Sequence, residues 1–208
     1  MPNPNTNMDL ALPHARIAET LAPFVAREMG PEDDSEWQAL LAGRGKKILK
    51  RRLRRQFGGW MGGSRRAPEV VEQVYGKTWD ETSLARLVDS NARAVPILWG
   101  QRRMLAGAPG LKRVHLLHMM RVIEELRPRS VLEVGCGMGI NLFVLAARFP
   151  DITFHGIDLT ASGIKAIQEW SRQDSLPRYL LDYSPEPSQD PAAHRRLQVR
   201  QGSAAEMP

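Results

Sequence analysis

The run Val131-Leu132-Glu133-Val134-Gly135-Cys136-Gly137-Met138-Gly139 sets three glycines at alternate positions directly behind a short apolar stretch. A parallel strand buried on both faces reads as a continuous apolar run, and Ser130 to Val134 has that character. Glycine at 135, 137 and 139 then lets the chain turn sharply and removes side chains that would hold a ligand off the backbone. The next residues, Ile140 to Arg148, are apolar enough for a packed helix, and Pro150 ends it. A second apolar stretch, Ile152 to Ile157, leads to Asp158, nineteen residues after Gly139. A carboxylate at the tip of that strand has the lone pairs to accept hydrogen bonds from both hydroxyls of a ribose. Strand, glycine turn, helix, strand and acid together form the layout of a nucleoside-cofactor site at the carboxyl end of a parallel sheet.

Two kinds of cofactor use such a layout. A dinucleotide places its pyrophosphate on a helix N-terminus behind G-x-G-x-x-G. Here the spacing is G-x-G-x-G, and Ile140 stands where the third dinucleotide glycine would fall. Glu133, beside the loop, repels a pyrophosphate. It suits a cofactor with positive charge, such as the sulfonium and ammonium of S-adenosylmethionine.

The segments V-L-E-V-G-C-G-M-G and G-I-D-L-T resemble motif I and the acid after the second strand of class I S-adenosylmethionine-dependent methyltransferases. The final residues, Leu197 to Pro208, resemble the third strand and adenine loop of that family, often written G-D-A-x-x-L-P. The resemblance covers residues 111–208. It implies that Glu133, Gly135 and Gly137 line the methionine side of S-adenosyl-L-methionine, with Cys136 and Gly139 in the same loop. It also implies that Asp158 holds the ribose, that Leu159 flanks the adenine and that Ser203 and Ala204 approach the adenine edge. Many relatives carry Asp where Ser203 stands, so the contact to the adenine amino group differs here.

A class I domain has about seven strands by this resemblance. The chain supplies candidates near 130–134, 152–157 and 196–200, so it reads as truncated after the third strand. Between the second and third strands, Ala161 to Arg172 has the periodicity of a helix. Tyr183 to Pro191 is a proline-rich segment without periodicity, either a lid over the site or an insertion without a role.

Composition narrows the remaining classes. Cys136 is the only cysteine, so no internal disulfide exists, and the residue reads as a small packing group rather than a nucleophile. No metal-ligand cluster is visible, and a metal site is not expected. No run of about twenty apolar residues is present. The first thirty residues lack a secretory apolar core and carry Asp9, Glu19 and Glu28, unlike a transit peptide. A cytoplasmic protein is the expectation.

The amino-terminal half reads as mostly helical. Residues 1–8 are polar; Leu10 to Met29 fits one amphipathic helix, with Ile17, Leu21, Phe24 and Val25 on one side. A second helix starts near Glu32-Asp33-Asp34, with Ser35 as a possible cap. Between Trp37 and Pro68 there is no acid but ten bases: Arg44, Lys46, Lys47, Lys50, Arg51, Arg52, Arg54, Arg55, Arg65 and Arg66. The chain has 29 bases and 23 acids, for a net charge of +6. Without that run it would be net negative. Ile48, Leu49, Leu53 and Phe57 interleave with the bases, and Trp60 follows. Such a segment (44–66) is a solvated face, an anionic-membrane contact or an RNA contact. Val70 to Tyr75 and Ser83 to Val88 read as short helices, Pro96 as a breaker, and Trp99-Gly100 with Gly107 to Gly110 as a linker. Leu111 to Leu126 reads as the helix before the first strand. His115 and His118 share one side of it, and they, like Tyr75 and Trp79, are candidates to face an acceptor.

These readings divide the chain into a basic helical extension (1–68), a helical cap or linker (69–127) and a partial Rossmann-like domain (128–208). The expected function is methyl transfer from S-adenosylmethionine to an unidentified acceptor, with no catalytic residue assigned. The alternative is a noncatalytic module that acts through its basic helix on RNA or an anionic membrane.

Overall fold

The computed structural model describes residues 10–58, 94–176, 180, 183–203 and 205. The described residues form an α/β protein with two three-stranded sheets, one parallel and one antiparallel.

The antiparallel sheet comes first. Helix α1 (His14–Leu21) passes through a 3-10 turn, Ala22–Phe24, into strand β1 (Val25–Met29). The single helix expected over Leu10 to Met29 is therefore corrected. Pro23 lacks an amide hydrogen and cannot extend α1, and Val25 to Met29 pair instead with a strand more than seventy residues away. Helix α2 (Asp34–Gly58) follows. The expected linker around Trp99-Gly100 is a β-hairpin: β2 (Ala94–Trp99) and β3 (Arg102–Gly107) pair antiparallel around Gly100-Gln101, with Gly100 at φ +60°. A glycine at the first central position is what a two-residue type II′ turn needs. Among the described strands the order β1-β3-β2 leaves β2 at an edge, the position in a sheet where a proline is tolerated. The described amino-terminal residues are mostly helical, as expected, but they also hold three strands, and β1 with β3 joins residues 1–68 to 69–127 in one sheet.

Alternation along β3 buries Met104 and Ala106 beneath helix α3 (Ala108–Leu126). Pro109 lies in the first turn of α3, where its missing N–H is harmless. The helix ends on Arg127 in a left-handed conformation just before Pro128. Ion pairs Arg27–Glu36 and Arg103–Asp34 tie the start of α2 to the sheet, and Arg102–Glu28 joins β3 to β1. The acids near the start of α2 thus serve these arginines.

The parallel sheet contains β4 (Ser130–Val134), β5 (Thr153–Asp158) and β6 (Gln198–Gln201) in that order. Helix α4 (Ile140–Arg148) connects β4 to β5, and α5 (Ala161–Ser171) begins the longer connection from β5 to β6. This part is Rossmann-like. The apolar faces of α3, α4 and α5 close on Val131, Phe154 and Val199 in one core, where Phe143 stacks on Trp170 at 5.9 Å between ring centroids. Burial on both faces of β4 is corrected. Leu132 is 48% and Val134 49% exposed, because the helices cover the Val131–Glu133 side only.

Tyr183 to Pro191 is neither a lid nor an idle insertion. The amides of Gln189 (2.8 Å) and Asp190 (3.0 Å) and the Ser188 hydroxyl (3.3 Å) donate to the carbonyl of Ala147. They satisfy a carbonyl of the last turn of α4, the end of that helix away from the glycine loop. Behind this segment His194 is fully buried, with Nδ1 2.9 Å from the Pro191 carbonyl and Nε2 3.0 Å from that of Gln173.

No helix among the described residues is long and apolar enough to cross a membrane. The residues outside the description include Trp60, Arg65, Arg66, Tyr75, Trp79, the two short helices expected at 70–75 and 83–88, and Ala204.

Candidate functional site

The glycine loop bends because of where its amides go. Gly135 N–H (2.8 Å) and Cys136 N–H (3.2 Å) both donate to the Ile157 carbonyl, and Gly139 N–H donates to Cys136 (2.8 Å). Gly135, Gly137 and Gly139 have φ of +74°, +54° and +78°. At Gly139, the N-cap of α4, a Cβ would lie 2.8 Å from Ile167 Cγ1, so packing of α5 also demands glycine there. At Gly135 a Cβ would meet nothing within 4 Å. The space over that residue is open, as a ligand requires.

Asp158 does more than wait for a ribose. Its Oδ2 accepts the Gly137 N–H at 2.7 Å, while Oδ1 accepts the Thr160 N–H at 2.8 Å and the Thr160 hydroxyl at 2.6 Å. A carboxylate offers about four lone-pair sites, so room remains for about one further donor. The Asp158 carboxylate therefore lacks the free acceptor sites for both hydroxyls of a ribose, and its remaining capacity is at Oδ2. The carboxylate also pins the loop to the tip of β5.

Glu133 points to the helix side of β4, where Asn141 Nδ2, in the first turn of α4, donates to its Oε1. Two acceptors in this pair are buried without a donor among the described residues, Glu133 Oε2 and Asn141 Oδ1. Burial raises the Glu133 carboxyl above its usual range, against the opposing pull of Asn141 and Lys112. Lys112, in the first turns of α3, is lowered by burial while Glu133 pulls it upward. The Cys136 thiol is pushed up to about 12, by burial first and then by Asp158 and Glu133. Such a thiol is a packing group and not a nucleophile at neutral pH.

The structure therefore brings Glu133, Gly135, Cys136, Gly137, Gly139 and Asp158 together at the carboxyl ends of β4 and β5. Leu159 sits just beyond, its carbonyl bonded by Gln201 Nε2 (2.9 Å). Ser203 follows β6 and accepts the Ala205 N–H (3.1 Å) through its hydroxyl, while Gly202 N–H donates to the Asp158 carbonyl (2.9 Å). His115 and His118 are exposed on α3. Among the described residues, no group of three or more His, Cys, Asp and Glu could hold a metal ion.

Sequence reasoning missed Lys112, Asn141, Thr160, Gly156 and Gly163. A Cβ on Gly163 would lie 2.7 Å from the Gly137 carbonyl oxygen, so α5 packs directly on the loop. A Cβ on Gly156 would lie 2.7 Å from Leu142 Cδ1 and 2.9 Å from Cys136 Sγ, so β5 runs directly beneath it. Thr160 was the one with a signal, since a hydroxyl two residues after an acid at a helix start is a recurrent turn partner.

The arrangement favours a cation over a phosphate. The amides of residues 135, 136, 137 and 139 are spent inside the chain, leaving the loop itself little to offer a pyrophosphate. Two carboxylates, Glu133 and Asp158, flank it. No family model, no curated protein and no solved structure matches this chain.

Proposed function

We propose that the carboxyl edge of the parallel sheet binds S-adenosyl-L-methionine and that the chain carries the cofactor-binding part of a class I methyltransferase acting on an unidentified acceptor. The observation that supports this reading is the pairing of an open space over Gly135 with two flanking carboxylates, one of which holds an unpartnered buried oxygen. A ligand without an N–H or O–H donor at this point would leave Glu133 Oε2 unsatisfied, at a cost of about 1–3 kcal/mol. A ligand with N–H donors and positive charge removes that cost.

When bound, the cofactor supplies a methyl group already activated by its sulfonium. The chain's own residues bind and orient. Asp158 Oδ2 accepts from one ribose hydroxyl, Gly135 leaves room for the ligand against the backbone, and the apolar Leu159 flanks the base. Orientation of this kind carries most of the rate gain when the leaving group is already good. The test is equilibrium dialysis with radiolabelled S-adenosylmethionine. Wild type retains label above the free concentration and Gly135→Val does not; equal retention by the variant would contradict the reading.

A second reading rests on α2, where Ile48 (64%) and Leu49 (56%) are exposed beside the exposed Lys46 within the basic run. Exposed apolar residues among bases suit an anionic lipid surface better than RNA. Co-sedimentation with phosphatidylserine vesicles, absent with phosphatidylcholine alone and lost in Ile48→Glu/Leu49→Glu, would support it. Equal binding to both lipids or to neither would not.

A further inference from the structure

The amino ends of β4 and β5, at the opposite edge of the parallel sheet from the glycine loop, border a cleft of about 440 Å³. That volume falls within the range of ligand sites in proteins, about 300–1,000 Å³. Ile123, Phe149 and Ile152 give the cleft apolar walls. Its lining also carries the charged side chains Arg127, Arg129, Glu124 and Asp151. Glu124 is already engaged, by Arg148 at 3.5 Å. Arg127, Arg129 and Asp151 are exposed at the cleft, and among the described residues none of the three has an ion-pair partner within 4.0 Å.

Arg127 is also held in an unusual backbone state. It ends α3 at φ +46° and ψ +53°, and no other non-glycine residue among those described has a positive φ. A left-handed stop of this kind suits glycine or asparagine, which reach it at less cost. The stop therefore explains the conformation but not the arginine. The side chain lines the cleft together with Arg129, across a proline that fixes the backbone between them. Strained backbone of this kind concentrates where a protein holds a ligand.

We infer that this cleft binds a small organic monocarboxylate, with the carboxylate on Arg127 and Arg129 and the apolar body against Phe149 and Ile152. Guanidinium forks match the paired oxygens of a carboxylate. Charge selects that ion over a phosphate. Two guanidiniums and the Asp151 carboxylate leave a single positive charge, which one carboxylate cancels and a phosphate dianion exceeds. Glu124, matched by Arg148, does not enter the count. The cleft lies away from the glycine loop, so this site holds whether or not that loop takes S-adenosylmethionine.

The test is calorimetric titration of the full chain with phenylacetate, its uncharged amide phenylacetamide and phenyl phosphate, beside a thermal melt. Wild type binds phenylacetate about 10-fold more tightly than either of the others, the worth of one charge-assisted contact. Arg129→Gln weakens phenylacetate by about 10-fold at unchanged Tm. Arg127→Gly weakens it by a similar factor yet raises Tm by about 2–4 °C, because glycine relieves the left-handed strain. Asp151→Asn frees a positive charge and brings phenyl phosphate level with phenylacetate or above it. Wild type that binds none of the three, that binds the amide as well as the acid, or that prefers phenyl phosphate would overturn the inference. Unchanged phenylacetate binding in Arg127→Gly and Arg129→Gln would do the same. A fall in Tm for Arg127→Gly would assign its guanidinium to the fold and remove it from recognition.

Discussion

The two sheets of this chain were written in different ways. In the parallel half each strand is followed by its own connection and next partner, so β4, α4 and β5 lie within residues 130–158 and pair nearest neighbours. In the antiparallel half β1 waits for β3, pairing Val25 with Ala106 and Met29 with Arg103. The first arrangement leaves a local signature of apolar run, glycines and acid. The second leaves none that spans the gap. The parallel half is also keyed by glycines at 139, 156 and 163, where a Cβ would lie 2.8, 2.7 and 2.7 Å from a neighbouring atom.

The largest expected effect follows from that keying. Gly163→Val drives a side chain into the Gly137 carbonyl, part of the loop that Asp158 holds through the Gly137 N–H. A loss of about 3 kcal/mol is expected. Chemical denaturation checks it; a loss below about 1 kcal/mol would show that α5 does not press on the loop.

Next comes a matched pair. Gly135 and Gly100 have similar positive φ and open space around a would-be Cβ, one at the glycine loop and one in the hairpin. Gly135→Val and Gly100→Val should each cost about 1–2 kcal/mol of backbone strain. Only the first should abolish retention of S-adenosylmethionine. If both or neither affect binding, the contrast between a ligand glycine and a turn glycine fails.

Glu133→Gln is a subtler probe. Burial raises the folded-state pKa of Glu133 above its unfolded value. Its contribution to stability is therefore full below the unfolded value and is lost as pH rises through the folded one. Removing the charge should raise Tm at pH 7.5 by about 2–4 °C, the shift that about 1 kcal/mol gives at this size, with no gain at pH 4. A gain at both pH values, or a loss at pH 7.5, would mean that a partner compensates the ionised carboxylate. The smallest effect concerns Cys136, buried and pushed up to about 12. Iodoacetamide should leave it unmodified in the native chain at pH 7.5 and label it fully after denaturation; native labelling would place the thiol at the surface.

How much was legible depends on what each residue answers to. Ser130–Val134 and Ile140–Arg148 stand at the residues expected, and β5, β6 and α5 lie within two, because glycine, proline and apolar runs act locally. The hairpin hid behind Pro96, which punctuates a chain as a breaker and is tolerated here because β2 is an edge. β1 hid inside an apolar pattern that also fits a helix, until Pro23 is weighed against it. At the site, the glycines and carboxylates were visible by type and spacing. Asn141 was not, because an asparagine in the first turn of a helix is ordinary until packing sets its amide on Glu133. The docking of residues 188–190 on Ala147 was equally hidden, since an aperiodic polar segment does not say which helix end it will cap.

The central claim is that this edge of the sheet takes a cationic nucleoside and not a pyrophosphate. Calorimetric titration of the 208-residue chain with S-adenosylmethionine and, separately, with NADH tests it most directly, alongside a thermal melt. The account predicts saturable binding of the first at one site and none of the second. Binding of NADH, or a cooperative melt with binding of neither ligand, would contradict it.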